Sequence, residues 1–152
     1  MQRPVAVVER VIQAPPEQVF AVLKDGWTYS DWVVGTAHIR AVDPRWPEPG
    51  SRLYHKVGPW PLSVRDNSEV LACAEPTELS LRAKMWPLGE ATVVLKLSAT
   101  GDGGTRVTIA EDFAAGPLRW VRTKVNDLLL HARNVETLRR LGDLAVRREA
   151  RL

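Results

Sequence analysis

From residue 36 to residue 113 the chain alternates apolar and polar positions in six successive runs, 36–43, 51–57, 62–73, 77–86, 90–99 and 105–113. A period of two sends alternate side chains to opposite faces, so each run predicts a half-buried β-strand. The segments between them are DPRWPEPG, GPWP, EP, PLG and GDGG. Proline presets φ and glycine supplies positive φ, so these read as turns. Connections this short suit an antiparallel meander. A further β-branched run, PVAVVERVIQ at 4–13, predicts a strand ahead of the other six. Between these strands the period changes. In APPEQVFAVLKDG the prolines fit a first helical turn, Val19, Phe20, Val22 and Leu23 share one side, and Gly26 ends the pattern. WTYSDWVVG predicts a second short helix ending near Gly35. After AAGP, residues 118–147 predict one long helix. Its apolar stripe runs through Val121, Val125 (or Lys124), Leu128, His131, Val135, Leu138, Gly142 and Ala145. Gly142 costs about 1 kcal/mol of helix propensity relative to alanine. That makes sense if a strand or a ligand comes close there, or if the helix bends.

This order predicts an α+β fold. A seven-stranded antiparallel curved sheet, ordered 1-7-6-5-4-3-2, wraps around the long C-terminal helix, and the two short helices close the other side. Strand 1 takes the edge beside strand 7 because the six later strands form an unbroken meander. The 152 residues suit a single domain, 1–152.

Two strands raise a chemical question. In SRLYHKV, Leu53, His55 and Val57 share the apolar face; in VRDNSEV, Val64, Asp66, Ser68 and Val70 share theirs. The same rule turns Leu79, Leu81, Ala83 and Met85 inward, then Val93, Leu95 and Leu97, then Val107, Ile109, Glu111 and Phe113. With His131 on the helix stripe, four groups able to carry charge lie on otherwise apolar faces: His55, Asp66, Glu111 and His131. An unpaired buried charge costs several kcal/mol, and a lone neutral polar group roughly 1–3. Either these groups pair with one another, His55 with Asp66 for example, or they line a cavity that holds water or ligand. A one-residue bulge would turn a strand over and remove its member.

Composition narrows the setting. Apolar residues make up 45% and charged residues 26%, as in ordinary soluble domains. The single cysteine, Cys73, allows no internal disulfide, which points to a reducing cytoplasm. The N-terminal residues show no signal-peptide core, and no run reaches the ~18 apolar residues of a membrane span. Net charge is +3, yet residues 118–151 hold nine basic and four acidic side chains. Because acids are interleaved around that helix, a solvated face is expected rather than a nucleic-acid partner. His38, His55 and His131 are far apart in sequence and Cys73 falls on the outward set of its strand, so no metal site is expected. GDGG lacks the strand–loop–helix setting of a phosphate loop, there is no G-x-S-x-G elbow, and no cofactor is expected.

VERVIQAPPEQVFAVLKD, YSDWVVG, PGSRLYHKVG, EVLACAEPTELSLRA, GGTRVTIAED and LLLHARNVETLRRL together resemble the START-like helix-grip superfamily. Within it the chain is most similar to the bacterial polyketide cyclase/dehydrase-type (SRPBCC) proteins, over about residues 5–147. The resemblance implies one deep cavity between sheet and C-terminal helix, holding a small hydrophobic molecule: aromatic, polyketide-like or lipid. It supplies no universal catalytic motif. Some members cyclise or dehydrate polyketide chains, so a cyclase/dehydratase is the alternative to a binding protein. Glu111 and His131 are then the base and acid to test, with His55 and Asp66 as another pair. A protein-binding, co-chaperone-like module is a third class. In a meander every other turn shares an end, which groups Trp60, Trp86 and Trp120, with Trp32 nearby, as an aromatic mouth or as loop anchors. The expected ligand contacts are His55, Asp66, Ser68, Met85, Trp32, Trp60, Trp86, Leu128 and Val135.

Overall fold

Strand β1, Ala6–Ile12, runs into α1, Pro16–Lys24, whose proline opens the first turn without needing an N–H donor. A 3-10 turn, Gly26–Thr28, and one α-helical turn, α2, Tyr29–Trp32, follow where the sequence predicted one short helix. Six strands come next: β2 Thr36–Val42, β3 Arg52–Val57, β4 Val64–Ala74, β5 Glu78–Met85, β6 Gly89–Ala99 and β7 Thr105–Ala115. The long helix α3 spans Lys124–Ala150. The structure is a computed structural model and describes residues 6–34, 36–57, 64–85, 89–115 and 124–150.

The seven strands form one sheet in the order β1-β7-β6-β5-β4-β3-β2, with every neighbouring pair antiparallel. This is the predicted helix-grip α+β architecture, and its order follows from the short turns. Leu53, Val70, Leu79, Leu81, Leu95 and Val107 on the inner face are buried together with Val19, Phe20, Val22 and Leu23 of α1 and Leu138, Leu141 and Ala145 of α3. Helix α3 packs against β1, β7, α1 and α2. Polar ties fix these layers. Gln18 donates to the Ala145 carbonyl at 2.6 Å, Thr105 Oγ1 to the Ala14 carbonyl at 2.7 Å, and the buried Trp46 indole to the Leu23 carbonyl at 3.1 Å.

Two glycines mark close approaches. A Cβ on Gly26 would lie 2.8 Å from Val42 Cγ1, so only glycine lets this turn press on β2. At Gly142 a Cβ would meet Ile12 Cγ1 at 3.3 Å, which accounts for a glycine within α3 by the approach of β1.

Two faces differ from the sequence expectation. In β4, Val70 pairs with Leu81 but Ala72 pairs with Ser80, so Leu71 is an extra residue. The bulge turns the strand over, and Cys73, expected outside, packs against the core opposite Leu79. Among the described side chains of α3, the buried positions are Asn134, Thr137, Leu138, Leu141, Gly142 and Ala145. Leu128, His131 and Val135 are instead exposed, Leu128 by 68% and Val135 by 41%. At ~100° per residue Asn134 and Val135 lie on different sides of the line through Leu138. The helix turns its polar side, Asn134, toward the sheet because a polar partner, Glu111, waits there.

Candidate functional site

Glu111, on the inner face of β7, meets α3. Glu111 is 4% exposed, and its carboxylate forms an ion pair with Arg133 Nη2. Asn134 Nδ2 also donates to it, at 3.4 Å. One turn on, Thr137 Oγ1 accepts from the Val34 backbone N–H at 3.2 Å, tying α3 to the segment after α2.

A second polar cluster rests on β3 and β4. His55 is 1% exposed, and its Nε2 lies 2.9 Å from Ser68 Oγ. Ser68 Oγ is also 3.0 Å from the Tyr29 hydroxyl. The Tyr29 ring stacks on the imidazole, with centroids 5.8 Å apart and planes 2° from parallel. Trp32 meets the other part of Tyr29 edge-on, at 5.3 Å and 64°. Asp66 sits directly opposite His55 in the ladder and is half-buried. Burial lowers the His55 pKa to about 4; Asp66 pulls it up against that, and Arg40 adds to the lowering. The imidazole is therefore neutral at pH 7. Burial raises the Tyr29 phenol above its ordinary value, so it keeps its proton.

The two clusters enclose one pocket of about 60 Å³ between the inner face of the sheet, α2 and α3. Tyr29, His55, Glu111, Arg133, Asn134 and Thr137 give it polar lining, and Trp32, Leu81, Val93 and Ile109 give it apolar walls. Three nitrogens of these lining residues are shut off from water and have no hydrogen-bond partner among the described residues: Trp32 Nε1, His55 Nδ1 and Arg133 Nε. A buried polar atom left in that state costs roughly 1–3 kcal/mol.

Of the residues singled out in the sequence, His55, Glu111 and Trp32 line this pocket, Ser68 bridges two of its side chains, and Asp66 acts on His55 by its charge. His131, Leu128 and Val135 do not join them, because all three lie on the exposed side of α3. Pairing Glu111 with His131 as base and acid therefore has no support in the geometry; the groups that meet Glu111 are Arg133 and Asn134. Trp60, Trp86 and Trp120, and the side chain of Met85, lie outside the described residues. Sequence reasoning missed Tyr29, Arg133, Asn134 and Thr137. The available signal was the 134–137–141–145 spacing, a stripe of mixed polarity that a search for apolar residues passes over.

The fold and a polar-lined pocket under a long C-terminal helix define a helix-grip protein. The chain belongs to the family described as polyketide cyclase / dehydrase and lipid transport, whose model matches residues 3–145. Among solved structures it is similar to a protein of Nitrosomonas europaea, at 20% identity, a TM-score of 0.73 and 96% coverage of both chains. It is also similar to the Zhui aromatase/cyclase of a Streptomyces species, at 17% identity and a TM-score of 0.70, covering 95% of this chain and 94% of that one. A protein of Arthrobacter aurescens gives 15% identity and a TM-score of 0.73, covering 93% and 85%. At such identities the likeness concerns the fold. Sequence comparison with curated proteins gave no match.

Proposed function

We propose that this protein binds a small, mostly hydrophobic molecule of aromatic, polyketide-like or lipid character between the sheet and α3. The observation that carries this reading is the pocket itself, where apolar walls surround polar groups that a dry core would not hold. Pockets for drug-sized ligands measure roughly 300–1,000 Å³. The 60 Å³ here suits the polar end of such a molecule. Its apolar body would extend toward the strand ends at Val57 and Met85. Among the described residues no helix is long and apolar enough to cross a membrane, and we propose a cytoplasmic setting. Native mass spectrometry of protein purified from its own host tests the reading. A co-purifying small molecule, released on denaturation, is the expected result; an empty protein at full occupancy of the fold would count against it.

A second reading, cyclase or dehydratase, is favoured by one observation. Neutral His55, the Tyr29 hydroxyl and the Glu111 carboxylate all belong to the same pocket, so groups that accept and donate protons lie close to where a ligand would sit. Under this reading Glu111→Gln keeps ligand binding and abolishes turnover. Loss of binding and turnover together would assign Glu111 a structural part only.

A further inference from the structure

The protons of the pocket can be counted. Tyr29, Ser68 and neutral His55 carry three protons on their hydroxyls and ring, and they share two hydrogen bonds. However these bonds are directed, one donor is left over. If Tyr29 donates to Ser68 and Ser68 to His55 Nε2, the surplus is Nδ1–H. If the chain runs the other way, the surplus is the Tyr29 O–H. If both neighbours donate to Ser68, the surplus is the serine O–H. A protonated imidazole would add one more. Beside this chain, Trp32 Nε1–H is a donor without a partner among the described residues, and so is Arg133 Nε–H. When Nε2 carries the ring proton, Nδ1 is a bare acceptor, so the unmet donors of the pocket wall outnumber its unmet acceptors in every arrangement.

Its charges, in contrast, are matched. Arg133 is neutralised by Glu111. The two charges acting on His55, those of Asp66 and Arg40, are of opposite sign. A carboxylate entering here would meet no unmatched cation in the pocket wall among the described residues, and it would lie near the Glu111 carboxylate. Burying an uncompensated anion is far costlier than burying a carbonyl.

Resting on the ligand-binding reading above, we propose that the pocket selects an uncharged ligand that presents a hydrogen-bond acceptor oxygen, a ketone or quinone carbonyl on an apolar frame, to the Trp32–His55–Tyr29 group, and discriminates against carboxylates. The carbonyl takes protons that the fold leaves unmet, while Leu81, Val93 and Ile109 cover the ring or chain that carries it.

Three small probes of similar shape separate the possibilities: acetophenone with an acceptor, ethylbenzene with none, and benzoate with a charge. Each is titrated into ¹⁵N-labelled protein, and the indole N–H signals are followed. The sequence has six tryptophans, and Trp32→Phe identifies the relevant signal. Acetophenone should bind roughly five- to tenfold more tightly than ethylbenzene, the factor that one neutral hydrogen bond supplies. It should shift the Trp32 indole signal downfield, and benzoate should bind more weakly than acetophenone. In Trp32→Phe, which keeps an aromatic wall and removes the donor, the preference for the ketone should shrink. Equal binding of acetophenone and ethylbenzene, or tightest binding by benzoate, would overturn the acceptor selectivity and leave the pocket as a ligand site. No response of any pocket residue to any of the three at saturation would overturn both.

Discussion

His55 makes the floor of the pocket sensitive to acid. Its pKa is about 4 in the folded protein and ~6.5 in an unfolded chain. Between those values the unfolded state holds a proton that the folded state refuses, so lowering the pH favours unfolding. The stabilising contribution is complete above about pH 6.5 and is lost as the pH falls to about 4, a total of about 3 kcal/mol. Urea denaturation at pH 7 and pH 4.5 should show this loss, and His55→Phe should show much less of it. An identical pH dependence in the variant would assign the acid sensitivity to other groups. Glu136, held down to about 2 by hydrogen bonds from Arg139 and Arg140, acts in a lower window, as the pH falls from about 4.5 toward 2. Individual residues were legible unevenly. The inward faces of His55 and Glu111 could be read because strand alternation is a strict period of two. Tyr29 could not be read, since a single helical turn offers no period to count.

At the scale of elements, two contacts decide stability and orientation. The turn at Gly26 presses on Val42 of β2, and a Cβ at 2.8 Å must displace that side chain. Overpacking of this kind costs roughly 1–3 kcal/mol. Gly26→Ala should lower stability by that amount in thermal or urea unfolding, and Val42→Ala in the same chain should recover part of it. Additive losses would locate the strain elsewhere. Helix α3 offers the second contact. Leu138 is wholly buried while Leu128 and Val135 are exposed. Leu138→Ala should cost about 2–5 kcal/mol, whereas Val135→Lys should stay within about 0.5 kcal/mol of the parent. The reverse order would restore the apolar stripe that the sequence suggests. That stripe misleads because a helix buries whatever its neighbours can satisfy. Asn134 is inside because Glu111 accepts from it, and Val135 is outside despite its apolar side chain. Cys73 misleads for another reason: an extra residue at Leu71 reverses the face, and alternation alone cannot place a bulge.

Across the whole molecule the sequence is most legible where connections are short. Six strands joined by turns can pair in few ways, so the order of the sheet follows from loop lengths and only the edge position of β1 needs a choice. The pocket was less legible because its lining comes from α2, four strands and α3 at once, and each contributes only one to three residues. Surface charge is the property with the clearest remaining consequence. The C-terminal segment carries the positive excess, and three of its arginines are matched by neighbouring carboxylates. Arg139 binds Glu136 at 2.6 Å and Asp143 at 3.0 Å, Arg140 binds Glu136 at 3.1 Å, and Arg133 is committed to Glu111. Binding to duplex DNA is driven by releasing counterions from phosphates, which needs cations not already engaged. A fluorescence-anisotropy titration with random duplex DNA at physiological salt should therefore give binding weaker than about micromolar, the tight limit of nonspecific binders, with a shallow dependence on salt. Submicromolar binding with a steep salt dependence would mean that these arginines exchange their carboxylate partners for phosphates, and that the exposed face of α3, with Leu128, His131 and Val135 on it, is a docking surface in its own right.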